Sequence, residues 1–140
     1  IKTLTDYERI IYFGALYAGG VKGLKNTVKK ISPSTKLIIV TVGLADVCDQ
    51  ENISNIRNSI RKQVPEHLLK AASVFHLRGG IDYSKLNFKH RTMMKMLYHS
   101  LKSKPAESLT QEDMTFIETY NKKVDFVDYD SLKQIAEATQ

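Results

Sequence analysis

The first half of the chain alternates between short apolar runs and segments with apolar residues at helical spacing. Residues 37–42 form a β-branched apolar run without polar alternation, which is typical of a strand covered on both faces. Shorter runs at 9–13 and 72–77 also read as buried strands. Between them, apolar residues recur every three or four positions in 21–31 and 53–64, which predicts amphipathic helices. This order with short connections predicts parallel βαβ units, so the predicted fold class is α/β.

The second half departs from this rhythm and is mainly helical. The pattern predicts two helices, a short strand and a last helix, over 87–101, 111–121, 124–127 and 131–138 respectively. Thr110 followed by Asp113 is close to a capping box, and Asp130 is placed to cap the last helix. No internal repeat, low-complexity tract or linker interrupts the pattern, so residues 1–140 are predicted to form one domain.

Composition narrows the class of protein. The 140 residues are 42% hydrophobic and 26% charged, as in an ordinary globular domain. The single cysteine, Cys48, excludes an intrachain disulfide framework and fits a reducing cytosol. No apolar run approaches the roughly 18 residues of a membrane span, and no signal-peptide pattern opens the chain. We therefore expect a cytoplasmic protein whose contact with a membrane, if it has one, is peripheral.

Positive charge is concentrated in one segment. Residues 83–106 contain no Asp or Glu and carry six cations, which equal the formal net charge of +6: Lys85, Lys89, Arg91, Lys95, Lys102 and Lys104. This basic segment is also rich in Met. It reads either as a solvated face over a Met-filled contact or as a face that docks on anionic headgroups or ligand carboxylates. Nucleic acid is not expected as a partner, because only Phe88 and Tyr98 are interleaved aromatic residues and no binding motif appears.

The segments that leave the three predicted strands are the candidate ligand sites, because ligands bind outside the carboxyl ends of the strands in such sheets. We call them the first, second and third exit segments: 14–20, 42–46 and 78–83. The first and third are glycine-rich, and Tyr17 and Tyr83 offer flat faces for an aromatic ring. The alternative is that strand-to-helix turns use glycine without any ligand. Neither a P-loop nor a G-x-G-x-x-G pattern is present.

Side-chain chemistry points to neither a metal nor an acid–base pair. The four histidines lack the close spacing to Cys or carboxylates that a metal site needs: His67, His76, His90 and His99. Cys48 has no sequence sign of activation, and Asp46, Asp49 and Glu51 read as loop and helix N-terminal acids. No metal ligand and no catalytic side chain is predicted.

Several segments together resemble flavodoxin-domain proteins, of the kind that includes the flavodoxin-type protoporphyrinogen oxidases: 6–19, 36–42, 78–87, 91–97 and 127–130. The most specific part is Gly79–Tyr83 with the Met-rich basic helix, which corresponds to the long insertion of that family, here about 83–106. The resemblance implies a flavodoxin-like, three-layer, doubly wound parallel sheet. It also implies an FMN-binding redox protein that acts in electron transfer or in protoporphyrinogen-type oxidation.

The same resemblance implies a set of cofactor contacts. The isoalloxazine ring of FMN would lie between the first and second exit segments, with the third closing against it. The implied contacts are Ala15, Leu16, Tyr17, Ala18 and Gly19; Val42, Gly43, Leu44 and Ala45; and Gly79, Gly80, Ile81, Asp82 and Tyr83. The insertion would contact a porphyrinogen, a quinone, a redox partner protein or the membrane, through Lys85, Lys89, Arg91, Lys95 and Lys102.

One departure from the family pattern matters for function. Members begin with a strand and a Ser/Thr/Gly-rich loop that binds the FMN phosphate, and this unit has no counterpart before Ile1. We therefore expect a sheet that lacks its central strand here, and either a longer gene product of which this chain is a part or a variant that does not bind FMN. The alternative function is a non-catalytic, flavodoxin-like interaction module that binds an anionic membrane or protein through its basic segment.

Overall fold

The structure is a computed structural model that describes residues 3–17 and 19–140. Its strands are β1 (Arg9–Tyr17), β2 (Gly20–Val21), β3 (Lys36–Gly43), β4 (Ser73–Arg78), β5 (Gly80–Asp82) and β6 (Lys123–Asp125). Its α-helices are α1 (Leu24–Val28), α2 (Gln50–Gln63), α3 (Glu66–Ala71), α4 (Phe88–Lys102), α5 (Gln111–Thr119) and α6 (Lys133–Glu137). Short 3-10 turns lie at Leu4–Asp6, Tyr83–Lys85, Ala106–Ser108 and Tyr129–Leu132.

The central sheet has the strand order β2, β1, β3, β4. β3 pairs in parallel with both β1 and β4, while the short β2 runs antiparallel to the end of β1. β5 and β6 form a separate antiparallel pair. Parallel strands joined through helices confirm the predicted α/β class.

One face of the central sheet carries the larger core. Ile39, in the middle of β3, is fully buried in a cluster with apolar residues of α1, α2 and α3: Leu24, Ile56, Ile60 and Leu68. The helix α2 begins at Gln50 because the Asp49 carboxylate accepts a hydrogen bond from the Asn52 N–H at 2.8 Å. The predicted amphipathic helix is thus confirmed. Its first turn was not predicted, because the apolar spacing begins only at Ile53.

The opposite face is covered over only part of its width. Ile38 and Val40 of β3 are buried there with Ile135 of α6. Their partners on β1 are Ile11 and Phe13, which point to the same face and are 41% and 54% exposed. The prediction of a strand covered on both faces therefore holds for β3, whereas the prediction that residues 9–13 are buried is wrong for this face of β1.

Residues 14–17 belong to a strand, which corrects the predicted end of the first strand. β1 includes them because Gly14 and Ala15 continue the pairing with β3, while Leu16 and Tyr17 pair with β2. Gly19, in the turn between the two strands, has a φ of 77°, a left-handed conformation that favours glycine. The predicted helix over 21–31 is correspondingly reduced to α1, since its first residue is part of β2.

The helices predicted over 87–101 and 111–121 are confirmed as α4 and α5. The capping box before α5 is confirmed as well. The Thr110 hydroxyl accepts a hydrogen bond from the Asp113 N–H, and the Asp113 carboxylate accepts one from the Thr110 N–H, both at 3.1 Å. These reciprocal bonds satisfy two backbone donors at the start of the helix.

The end of the chain differs from its prediction in detail. The strand predicted at 124–127 is shorter and begins one residue earlier, as β6. Asp130 does not cap the last helix, because its carboxylate instead pairs with Lys133 at 2.8 Å. Asp128 caps a preceding 3-10 turn by accepting a hydrogen bond from the Asp130 N–H at 3.0 Å. The α-helix begins only after that turn.

The side chain of His76 in β4 lies on the face of the central sheet that carries the larger core. The Nδ1 of His76 is 2.7 Å from the hydroxyl of Thr41 on β3. Its Nε2 is buried and has no hydrogen-bond partner among the described residues. Burial, followed by the positive charge of Arg57, lowers the pKa of His76 to about 4. The imidazole is therefore neutral in the folded protein at neutral pH.

We expect the free energy of unfolding to fall as the pH drops from 6.5 towards 4. In this window the unfolded chain binds a proton at residue 76 that the folded chain does not bind, so acid favours unfolding. We expect an effect of about 1 kcal/mol, reduced from the full linkage value because the site is only half-buried. Urea unfolding between pH 5 and 6.5 measures it. His76→Gln should flatten this dependence, whereas the same substitution at the exposed His90 should preserve it.

Candidate functional site

The carboxyl ends of the three parallel strands are held directly against one another. The Gly79 N–H donates a hydrogen bond to the Gly43 carbonyl at 2.7 Å. The Arg78 guanidinium donates from Nε and Nη2 to the Leu44 carbonyl, at 3.0 and 2.7 Å. The side chain of Leu16 lies over Gly43, so that a Cβ there would come within 2.7 Å of the Leu16 Cδ1. The three exit segments therefore meet at one edge of the sheet, as the parallel topology predicts.

The close approach of the second and third exit segments requires glycine at position 79. A Cβ at Gly79 would lie 2.8 Å from the Cγ1 of Val42. The residue is buried, and its backbone makes the strand-end hydrogen bond to Gly43. Gly79 therefore allows the second and third exit segments to pack closely. This structural role is the alternative to ligand binding that the sequence left open.

A small apolar ledge lies on the open face of this edge. We define the ledge as Ala15, Tyr17 and Val42; Ala15 pairs with Val42, and Tyr17 follows on the same face of β1. Tyr17 is 46% exposed, and its hydroxyl lies 3.9 Å from the sulfur of Met93 in α4. The ledge thus offers an aromatic face and apolar side chains, with a methionine at its border. These groups suit a flat, largely apolar ring such as isoalloxazine.

Four other predicted contacts occupy supporting positions. Leu16 and Gly43 pack on each other on the opposite face of the sheet from the ledge. Ala45 is buried, and its side chain has almost no exposed surface. The backbone of Leu44 is held by Arg78 beside them. Ala18, a further predicted contact, lies outside the described residues.

The third exit segment is built differently from the prediction. Gly80, Ile81 and Asp82 form β5, and Tyr83 begins the following turn. The Tyr83 ring is only 4% exposed and packs edge-on against Tyr120, with ring centroids 5.4 Å apart. Burial raises the pKa of Tyr83 to about 12. The interpretation of Tyr83 as a free face for an aromatic ligand therefore disagrees with its place in the structure.

A family model described as Flavodoxin domain matches residues 1–108, which is more than half of the chain. The chain belongs to the flavodoxin-domain family. Comparison with curated proteins and with solved structures gives no match. The family in general consists of FMN-binding redox proteins, so the coarse part of the functional prediction is supported. The matched residues of the flavodoxin domain include all three exit segments and α4.

An unpredicted contact fixes the third exit segment of the flavodoxin domain. The guanidinium carbon of Arg78 lies 3.8 Å from the centroid of the Phe126 ring, a cation–π geometry. The Phe126 N–H also donates to the Gly79 carbonyl at 3.1 Å. These residues are far apart in the sequence, and neither charge nor periodicity links them. Only the pairing of β5 with β6 brings them together.

A cavity on the other side of the first exit segment has the wrong charge for an anionic ligand. It has a volume of about 250 Å³ and is lined in part by Leu16, Gly20, Ser59, Glu112 and Asp113. Burial, followed by the neighbouring Asp113 charge, raises the pKa of Glu112. Because two carboxyl groups line this cavity, it disfavours an anionic ligand.

The basic segment of the flavodoxin domain presents its cations to solvent. The five cations predicted as partner contacts are all exposed: Lys85, Lys89, Arg91, Lys95 and Lys102. Within residues 3–17 and 19–140, none of them forms an ion pair. Phe88 and Met96 of α4 are 87% and 69% exposed among them. Across the described parts of the chain, no helix has both the length and the apolar character needed to cross a membrane.

Proposed function

We propose that this flavodoxin domain binds FMN at the carboxyl edge of β1, β3 and β4 and acts as a redox protein, in electron transfer or in oxidation of a porphyrinogen-type substrate. The observation that supports this most directly is the convergence of the three exit segments beside an exposed apolar ledge. The edge is also where ligands bind in parallel α/β sheets. The family match supplies the class of cofactor.

The proposal gives separate tasks to the residues of the edge. Tyr17 stacks on the isoalloxazine ring, while Ala15 and Val42 supply apolar contact beneath it. Gly43 and Gly79 keep the neighbouring segments joined, so the ledge is rigid before a ligand arrives. FMN supplies the one- and two-electron chemistry when bound, and the protein orients the ring and excludes water from it. We assign no residue of this chain to the phosphate.

We expect Tyr17→Ala to weaken FMN binding by up to about tenfold, because an aromatic pair contributes about 0.5–1.5 kcal/mol beyond burial of its area. Quenching of flavin fluorescence on titration of a full-length preparation measures the dissociation constant. Phe88→Ala removes another exposed aromatic ring from a position away from the ledge, and it should leave the affinity unchanged. A preparation that stays colourless and ignores added FMN would refute the proposal.

A second candidate function is a non-catalytic interaction module that docks on an anionic membrane through α4. The observation that favours it is the mixed surface of this helix, where exposed Phe88 and Met96 lie among exposed lysines. Apolar side chains that enter the interface and cations that contact headgroups are the two components of peripheral membrane binding. The two functions are compatible, because the ledge and the outer surface of α4 use different residues.

A further inference from the structure

A second cavity lies at the far end of β5, between the basic segment and the start of β6. Its volume is about 320 Å³, and its lining includes Asp82, Tyr83, Ser84, Arg91, Lys122 and Lys123. None of these residues belongs to the ledge. The cavity therefore forms a separate candidate site within the chain.

Tertiary structure assembles this cavity from two distant parts of the sequence. The pairing of β5 with β6 places Asp82 opposite Lys123. Arg91 enters from the start of α4, where its guanidinium donates to the Tyr83 carbonyl at 3.3 Å. Asn121 has a φ of 59°, and this left-handed residue turns the chain between α5 and β6. The resulting cavity is lined by three cations and one carboxylate.

The carboxylate leaves most of this positive charge uncompensated. Asp82 accepts hydrogen bonds from the Ser84 N–H at 3.0 Å and from the Ser84 hydroxyl at 2.6 Å. It also forms an ion pair with Lys123 at 4.0 Å. Arg91 and Lys122 form no ion pair with any residue in 3–17 or 19–140. Two cations that share a concave site favour a ligand that carries negative charge.

Tyr83 belongs to the wall of the cavity, but its hydroxyl is closed off from the open space. The side chain is more than nine-tenths buried, and its hydroxyl has almost no accessible surface and no hydrogen-bond partner in the described parts of the chain. The charged side chains of the wall, rather than this hydroxyl, are therefore the groups that a ligand meets.

We propose that the cavity binds an oxyanion group, a carboxylate or a phosphate, through Arg91, Lys122 and Lys123. The planar guanidinium of Arg91 suits the paired oxygens of either group, and the two lysines add point charges. Asp82 positions Ser84 at the wall and does not contact the anion. Asp82 and Tyr83, at the end of the third exit segment, line the cavity, and Gly80 at the start of β5 lies about 7 Å from Asp82 along the strand. A ligand anchored by its anionic group can therefore extend from the cavity along β5 towards the edge of the central sheet.

The test is an amide NMR titration of the full chain, without flavin, at constant ionic strength. Inorganic phosphate is the probe in one arm and acetate in the other, with chloride as the reference anion. We expect saturable shifts at Ser84, Lys122 and Lys123, and the anion that saturates at lower concentration identifies the preferred group. Because no FMN is added, the result does not depend on the proposed function.

Two double variants distinguish a specific anion site from nonspecific attraction of anions by positive charge. Arg91→Gln with Lys122→Gln should weaken the binding at least tenfold. Lys25→Gln with Lys29→Gln removes the same charge from exposed positions in and just after α1, outside the cavity, and should leave the affinity unchanged. Preserved β5–β6 amide shifts verify the fold of both variants. Shifts that never saturate with either probe, or an equal loss in both variants, would overturn the proposal.

Discussion

Replacement of Ile39 by Ala is expected to lower the free energy of unfolding by about 2–5 kcal/mol. Ile39 has no exposed surface and lies at the centre of the strand that pairs with both β1 and β4. Loss of its side chain removes apolar contacts with the α1–α3 layer and leaves a cavity that β3 cannot close, because neighbouring strands hold its backbone on both sides. Urea unfolding followed by circular dichroism measures the change.

The matched control is Ile11→Ala, the same substitution on the neighbouring strand. Ile11 pairs with Ile38 and is 41% exposed, so its truncation should cost less than about 1 kcal/mol. An equal loss in both variants would mean that the open face of β1 is covered in solution. A small loss in Ile39→Ala would contradict the core described for β3.

Reversal of three charges on α4 is expected to reduce binding to anionic vesicles by about a hundredfold or more. The variant combines Lys89→Glu, Lys95→Glu and Lys102→Glu, all at exposed positions. Each lysine near an anionic surface contributes about 1 kcal/mol, so loss of three attractions amounts to about 3 kcal/mol before repulsion is added. Co-sedimentation with vesicles that contain phosphatidylserine measures the binding, which should also weaken in high salt.

The control variant changes the net charge equally at another surface. It combines Lys25→Glu, Lys29→Glu and Lys30→Glu, in and just after α1, where the lysines are also exposed. If docking uses α4, this control retains most of the binding. Equal losses would instead indicate attraction by net charge alone, and binding that neither variant changes would remove the second candidate function. FMN binding should be the same in both variants, because neither alters the ledge.

The spacing of apolar residues predicted most helices and strands, because burial of one or both faces of an element requires apolar residues at regular positions. The run at 37–42 shows no alternation of apolar and polar residues, because β3 has helices or apolar side chains on both faces. The capping box at Thr110 was visible for a similar reason, as it depends on residues only three positions apart. The extension of β1 was not visible, because it depends on pairing with β3 and β2 rather than on the pattern within 14–17.

The candidate site was predicted less completely than the fold. Its location followed from a general property of parallel sheets, and the family match agrees with the predicted class of protein. The sequence did not predict which side chains of the site are exposed and which are buried. Tyr17 and Tyr83 both follow glycine-containing strand ends in the sequence, yet the first is exposed on the ledge and the second is buried against Tyr120. Tyr120, directly after α5, packs on the Tyr83 ring and accounts for its burial.

The sequence by itself determined the α/β class, the positions of the main strands and helices, the basic character of 83–106 and the resemblance to flavodoxin domains. Each of these depends on residues that are close together along the chain. Tertiary structure alone decided that Arg78 joins Phe126, that Arg91 shares a cavity with Lys122, and that one face of β1 stays open. The physical reason is that these contacts form by strand pairing and helix packing between segments that are far apart in the sequence. The local pattern of one segment does not indicate which other segment it will contact.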